Sequence, residues 1–247
     1  MKRLLLAAAI TAASAATNAA VVANVFTGTD AEVLAYSAQY QSYFNSGATI
    51  EDFETGFTTV TGGLDNSGVS VNTSVGKFRS ANTTDGTLGQ YGKTLALADE
   101  NTTIFTGRKN GTVGGKNYLD SNDSTRVVWD LELDPIGSFS DVGFLLSDVG
   151  DVSAFLDIKF KDGTSTTLDL LGDAADGNLQ YVTAHFDPSV TYAQVVFKNK
   201  LADGSWSTND GWGIDDIIVG KVPEPSSVAL LGLGLLGAGM ARRKKQA

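Results

Sequence analysis

The chain has no cysteine among its 247 residues and only one histidine, His185. The absence of cysteine excludes disulfide bonds, thiolate catalysis and cysteine-ligated zinc sites. A single histidine also argues against histidine-rich metal sites and Ser-His-Asp triads. His185 alternates with Tyr181 and Thr183 on one face of a strand pattern, which favours a surface histidine over a catalytic base. The sequence therefore predicts no catalytic residue.

Basic residues are scarce, since 18 Lys and Arg stand against 28 Asp and Glu, for a net charge of −10. This acidity argues against nucleic acid as a partner, because phosphate backbones bind cationic surfaces. Hydrophobic residues reach 42%, so wholesale disorder is excluded. About 200 residues between the two terminal segments suffice for one large domain with its own core.

The N-terminus has the order of a secretory signal peptide. Met1-Lys2-Arg3 is followed by an apolar run and an Ala-rich stretch that ends at Ala20. The apolar part is too short for a membrane anchor. We predict residues 1–20 as a signal peptide for the Sec translocon, with cleavage after Ala19 or Ala20.

The C-terminus, residues 221–247, combines three features in a fixed order. A proline-glutamate-proline motif is followed by an apolar segment over 228–240 and then by a basic cluster: Val222, Pro223, Glu224, Pro225, and Arg242, Arg243, Lys244, Lys245. Residues 228–241 would span about 21 Å as a helix, which is short of the roughly 30 Å hydrocarbon core. The basic cluster fits a cytoplasmic stop. These features predict a short C-terminal hydrophobic helix that sits transiently in a membrane.

This tail resembles the PEP-CTERM sorting signal of Gram-negative bacteria, which is also labelled an ice-binding protein C-terminal domain. The resemblance implies recognition and tail removal by an exosortase, a membrane protease-transpeptidase. It also implies export to the cell surface or extracellular matrix, and an association with exopolysaccharide and biofilm. The ice-binding label describes the tail alone.

The sequence of the body, residues 21–220, predicts one helix followed by strands. Thr29 and Glu32 form a capping box that predicts a helix over 30–44. Later segments alternate with period two, and Asp162-Gly163 lies between two such runs, which is a strong hairpin signal. Many short strands predict an all-β fold, a jelly-roll-like antiparallel β-sandwich with a short N-terminal helix.

The body is also similar to other domains that carry this tail, on three loose motifs in a common order. These are Thr49 to Glu54, Phe139 to Phe144, and Asp210 to Ile217. The resemblance implies a jelly roll related to carbohydrate-binding modules. It further implies one structural calcium ion between the first and last strands, with Glu54, Asp215 and Asp216 as ligands. In the alternative without a metal ion, Asp215 caps a turn and Glu54 is solvated.

Regular strand alternation would place Asp215 on the same face as Ile217 and Val219. At least one of the two carboxylates would then lie among apolar side chains, where a cation would offset the cost of desolvation. Among the aromatic residues, Trp206 lies in a polar stretch and is the candidate ligand-binding residue, with loop packing as the alternative. Trp212 begins the last strand and is expected in the core.

The sequence thus predicts an exported, non-enzymatic surface or matrix protein that is sorted by an exosortase and binds polysaccharide. Two alternatives stay open. One is a secreted glycan hydrolase or lyase on the same fold, because such chemistry needs only two carboxylates. The other is a purely structural component of the biofilm matrix.

Overall fold

The computed structural model describes residues 20–44, 47–56, 70–81, 95–101, 106–122, 124–133, 135, 137–149, 153–160, 165–169, 177–200 and 211–222. Ala19, Trp206 and the sorting tail from Pro223 onward lie outside these residues, as does the predicted C-terminal helix. Among the residues described, no helix is long and apolar enough to cross a membrane.

The described residues form one helix and thirteen strands. In chain order these are β1 Ala20–Thr27, α1 Asp30–Ser42, β2 Thr49–Glu51, β3 Ser70–Thr73, β4 Gly76–Ser80, β5 Ala96–Asp99, β6 Asn117–Asp120, β7 Arg126–Leu131, β8 Phe139–Ser147, β9 Ser153–Phe160, β10 Ser165–Asp169, β11 Leu179–Val190, β12 Ala193–Lys200 and β13 Gly213–Gly220.

The strands form two antiparallel sheets. The seven-stranded sheet has the order β1-β11-β8-β13-β6-β5, with β2 also paired to β13. The six-stranded sheet has the order β10-β9-β12-β7-β4-β3. Neighbouring strands are mostly distant in sequence, as in a jelly roll, and the predicted all-β sandwich is confirmed.

The core lies between the two sheets and is rich in aromatic rings. Trp129 stacks on Phe78 with ring centroids 5.0 Å apart, and Phe197 packs against Trp212 at 4.4 Å. Trp212 is buried, as expected, and its Nε1 donates to Asn199 Oδ1. Each buried ring stabilises the fold by about 1.5–3 kcal/mol through apolar burial alone.

The helix α1 packs on the outer face of the seven-stranded sheet. The predicted capping box is confirmed: Glu32 N donates to Thr29 Oγ1, and Thr29 N donates back to Glu32 Oε2. The helix ends at Ser42, two residues before the predicted end. Its buried Val33 joins Leu145 and other residues in a small cluster that is separate from the main core.

Two predictions about strands have different outcomes. The runs on either side of Asp162-Gly163 do pair antiparallel, as β9 and β10. The helix, however, is not the first element, because β1 precedes it and pairs with β11 along its whole length. No strand was predicted over residues 20–27, although Val21, Ala23 and Val25 pack against the main core.

The strand β13 contains a bulge that reverses the predicted alternation. Its register with β8 shifts between Asp215 and Ile218, and Asp216 has a φ of 52°. The bulge inserts one extra residue into the strand. Ile217 therefore faces the main core with Ile214, whereas Asp215 lies on the outer side, beside the crossing segment described below. The predicted shared face for Asp215 and Ile217 is wrong for this reason.

Candidate functional site

The first site lies where the chain from β2 meets β13. Strand β2 pairs with β13 through Glu51↔Ile217, so the opening and closing motifs of the body are adjacent, as predicted. The segment over residues 106–116, which we call the crossing loop, leads into β6 and contacts Glu54, which follows β2, and Asp215 in β13. It also contacts helix α1, since Lys109 Nζ pairs with Asp30 at 2.5 Å.

Glu54 is held at one end of the crossing loop. Its Oε1 accepts hydrogen bonds from Asn110 Nδ2 at 3.0 Å, Lys116 N at 2.6 Å and Asn117 N at 2.7 Å. Gly115 permits this approach, because a Cβ there would lie 2.4 Å from Glu54 Oε1. Glu54 is thus fixed by main-chain and amide donors.

Asp215 is held by the middle of the same loop. Its Oδ2 accepts from Gly111 N at 2.7 Å and from Thr112 N at 3.2 Å, while its Oδ1 is buried without a hydrogen-bond partner. Burial raises the pKa of Asp215 well above its usual 3.8, Gly111 N lowers it, and the charge of Asp216 adds to the rise. An orphan oxygen on a buried carboxylate is costly unless a proton or a cation compensates for it.

Asp216 points toward helix α1 from the bulge. Its Oδ1 lies 3.2 Å from Thr112 Oγ1, which is also 3.4 Å from Asp215 Oδ2, so the two carboxylates meet at this hydroxyl. Burial raises the pKa of Asp216 too, although hydrogen bonds from Thr112, Gln41 and Ser37 lower it.

Not all of the three predicted calcium ligands are placed to bind the same ion. Asp215 and Asp216 offer carboxylate oxygens, one of them an orphan, which is the type of ligand that calcium prefers, although calcium takes six to eight oxygens in all. Glu54 contacts a different part of the crossing loop through Oε1. Within the described ranges, no three acidic or histidine side chains converge as a metal-binding group. The structure therefore brings two of the three predicted residues together.

A buried ion pair fastens the start of the crossing loop. Arg108 Nη1 lies 2.7 Å from Asp120 Oδ1, and Arg108 Nε lies 3.5 Å from Asp148 Oδ2, with all three side chains buried. Asp120 Oδ1 also accepts from Asn122 N. The acidic Asp120 to Ser124 stretch thus holds the loop in place through its first residue.

A second site is a groove of about 600 Å³ on the outer face of the six-stranded sheet. Strands β3, β4 and β7 line it, with the residues Asn72, Thr73, Gly76, Lys77, Asp130, Glu132 and Leu133. The turn between β3 and β4 lies close over β7, because Gly76 has a φ of 114° and a Cβ there would lie 2.1 Å from Asp130 O. Glycine is required at this position.

Asp130 is the most constrained polar group in the groove. Its Oδ1 accepts from Tyr192 Oη and Gln194 Nε2, both at 2.8 Å, and Arg79 Nε lies 3.1 Å from its Oδ2. Burial alone would raise the pKa of Asp130, but hydrogen bonds from Gln194, Tyr192 and Arg79 lower it below 3.8. Asp130 is therefore a fixed, ionised acceptor.

Charge is distributed unequally between the two sheets. The strands of the seven-stranded sheet contain no Lys or Arg and seven carboxylates, Glu51, Asp99, Asp120, Asp141, Asp187, Asp215 and Asp216. The strands of the six-stranded sheet contain six basic residues, Lys77, Arg79, Arg126, Lys159, Lys198 and Lys200, against three aspartates. The acidity of the domain is therefore concentrated away from the groove.

The other predicted site residues are placed only in part. Val222 is described, and its N–H donates to Asp141 Oδ2. Ala20 is the first residue of β1. The predicted roles of Trp206, of Ala19 and of the sorting motif from Pro223 to Lys245 fall outside the described residues. His185 has a side chain that is 55% exposed, as expected, and lies on β11 beside Asp141.

Comparison with known proteins identifies the tail. Residues 221–245 match the model of the PEP-CTERM protein-sorting motif. The predicted sorting motif is confirmed, and it supports an exported protein that is sorted by an exosortase. The match covers the tail and leaves the body unassigned.

Comparisons over the body add little. No curated protein matches the chain. One similar solved structure is the enzymatically active domain of tailspike protein 4 from bacteriophage CBA120, with 16% identity and a TM-score of 0.31. The match covers 56% of this chain and 19% of that one. A likeness at this TM-score supports no statement about the function of the body.

Proposed function

We propose that the chain is a non-enzymatic surface or extracellular-matrix protein of a Gram-negative bacterium, whose body binds polysaccharide in the groove of the six-stranded sheet. The observation that carries the binding proposal is this polar groove of about 600 Å³, built around the fixed carboxylate of Asp130. The sorting motif supports export, and on this proposal the tail holds the protein in the inner membrane until an exosortase removes it.

The chemistry of the groove suits a neutral, polyhydroxylated chain. Lys77 and Asn72 supply donors, Glu132 supplies an acceptor, and all three line the groove. Each hydrogen bond to a sugar hydroxyl contributes about 0.5–1.5 kcal/mol net, so several are needed together. The groove is lined by one lysine and two carboxylates, which favours a neutral polymer over a strongly acidic one.

The enzymatic alternative would need a different pair of carboxyl groups. A glycosidase uses one carboxylic acid with a raised pKa as a proton donor and a second, ionised carboxylate. The carboxylate at the centre of the groove has the opposite property, because the pKa of Asp130 is lowered and both of its oxygens accept hydrogen bonds. Asp130 suits recognition better than proton transfer.

A glycan array tests the proposal. The full-length protein, purified in mild detergent, is applied to neutral and acidic polysaccharides, and the supernatant is assayed for released oligosaccharides. Binding without product supports the proposed function. Released product would replace it with the hydrolase or lyase, and the absence of both would leave a purely structural matrix component.

We also propose one structural calcium ion at Asp215 and Asp216. The orphan Oδ1 of Asp215 supports this, together with the meeting of both carboxylates at Thr112 Oγ1. In the bound state the ion would supply positive charge to the buried carboxylate of Asp215 and the partly buried one of Asp216, and it would have no part in chemistry on a substrate.

A further inference from the structure

We propose that the body binds the first residue of its own sorting motif, and that Asp141 is the residue that holds it. The proposal concerns processing of the tail and does not depend on polysaccharide binding. It begins from one contact: the backbone N–H of Val222 donates to Asp141 Oδ2 at 3.1 Å. Val222 stands immediately before Pro223-Glu224-Pro225.

The acceptor is fixed in place by other groups. Asp141 lies in β8 and is 6% exposed. Ser140 Oγ donates to its Oδ2, and His185 Nδ1 lies 2.8 Å from its Oδ1. A buried, ionisable acceptor that is already oriented loses little freedom when a further donor binds, and hydrogen bonds to charged acceptors are among the stronger ones.

This hydrogen bond holds the chain just beyond the end of β13. Strand β13 ends at Gly220, which pairs in register with Asp141 itself. The side chain of Asp141 therefore extends the ordered contact two residues past the end of the strand. Val222 precedes a proline, so it favours an extended backbone, and Pro223 has no N–H to donate. The Val222 N–H is thus the last backbone donor before Glu224.

The consequence concerns access to the chain. The nitrogen held by Asp141 belongs to the Lys221–Val222 peptide bond. A protease must take its target bond out of local structure, so a bond held against the body is cut at a rate set by local opening. Asp141 is therefore a positioning residue. It holds the Lys221–Val222 peptide bond against the body, immediately before the proline-glutamate-proline motif.

Limited digestion of the full-length protein with trypsin tests the proposal directly. The side chain of Lys221 is exposed, so protection of its peptide bond reports the main-chain contact. Cleavage after Arg242 in the same chain is the reference for trypsin activity. We expect Asp141→Ala to raise the rate of cleavage after Lys221 about tenfold relative to that reference, the effect of losing one charge-assisted hydrogen bond.

Asp187→Ala is the matched control, because Asp187 is an exposed carboxylate on the neighbouring β11 and should leave the Lys221 rate unchanged. Faster cleavage after Lys77 or Lys109, inside the body, would show that a variant has unfolded. Hydrogen exchange of the Val222 amide in the unmodified protein then tests, without a variant, whether this N–H is protected by its hydrogen bond. An unprotected Val222 amide, or equal Lys221 rates in Asp141→Ala and Asp187→Ala, would overturn the proposal.

Discussion

A carboxylate in a groove can stay ionised even when it is largely withdrawn from water, provided that enough donors surround it. Asp130 shows this balance, since its side chain is only 28% exposed and it accepts from three different side chains. Its charge is therefore part of the stability of the six-stranded sheet as well as of the proposed binding surface.

The lowered pKa of Asp130 predicts a dependence of stability on pH. A carboxyl group with a depressed folded-state pKa stabilises the protein above its unfolded-state pKa, and the contribution disappears as pH falls through the folded-state value. Asp130→Asn should lower the free energy of unfolding by about 1–2 kcal/mol at pH 7. The difference from the unmodified protein should shrink below pH 3.8. Urea unfolding at pH 7 and pH 3 measures this, with Asp187→Asn as the control. A difference that does not change with pH would exclude the charge as its cause.

The orphan oxygen of Asp215 predicts a response to calcium. An ion at 100 times its dissociation constant stabilises the folded state by about 2.7 kcal/mol, which corresponds to roughly 5–10 °C in melting temperature for a domain of this size. Calcium at millimolar concentration should raise the melting temperature by this amount relative to chelator. Asp215→Asn should abolish the increment, and Asp187→Asn should retain it. Identical melting curves in calcium and in chelator would remove the proposed ion.

At the level of elements, the crossing loop is held almost entirely by acidic side chains. It contributes cations and N–H groups to carboxylates from six other parts of the chain, Asp30, Glu54, Asp99, Asp120, Asp148 and Asp215. This arrangement explains how an acidic domain can bury several carboxylates on one sheet.

The buried pair at the start of the loop should dominate its stability. Arg108→Met leaves Asp120 and Asp148 buried without their cation, which is expected to cost about 3–5 kcal/mol. Lys109→Met removes the neighbouring exposed pair with Asp30 and should cost less than about 1 kcal/mol. Denaturant unfolding of both variants makes the comparison. Equal, small losses would mean that the buried pair does not anchor the loop.

Local sequence signals predicted some elements well and others poorly. The capping box at Thr29 and the pairing of the two runs on either side of Asp162-Gly163 follow from a few neighbouring residues, and both predictions were confirmed. The bulge at Asp216 could not be predicted, because it depends on pairing with β8, a strand some 70 residues earlier. The alternation of Val21, Ala23 and Val25 is the signal for β1, but no strand was predicted there.

At the scale of the whole molecule, the groove depends on strand order. Alternation in β7 already places Asp130 opposite the core-facing Trp129. The local sequence does not show, however, that Asp130 lies between Lys77 on one neighbouring strand and Gln194 on the other. The concentration of basic residues in one sheet was likewise visible only after the sheets were assigned. The sorting motif is the opposite case, because contiguous residues carry it and the sequence alone predicted it.

The most direct test of the central claim is the affinity of the full-length protein for a neutral polysaccharide selected from the array, measured by titration with groove variants. Lys77→Ala and Glu132→Ala should each weaken binding about fivefold or more, the equivalent of roughly one lost hydrogen bond, with an unchanged melting temperature. Asp187→Ala, on the other sheet, should bind as the unmodified protein does. Unchanged affinity in both groove variants would contradict the account and place any polysaccharide site elsewhere on the molecule.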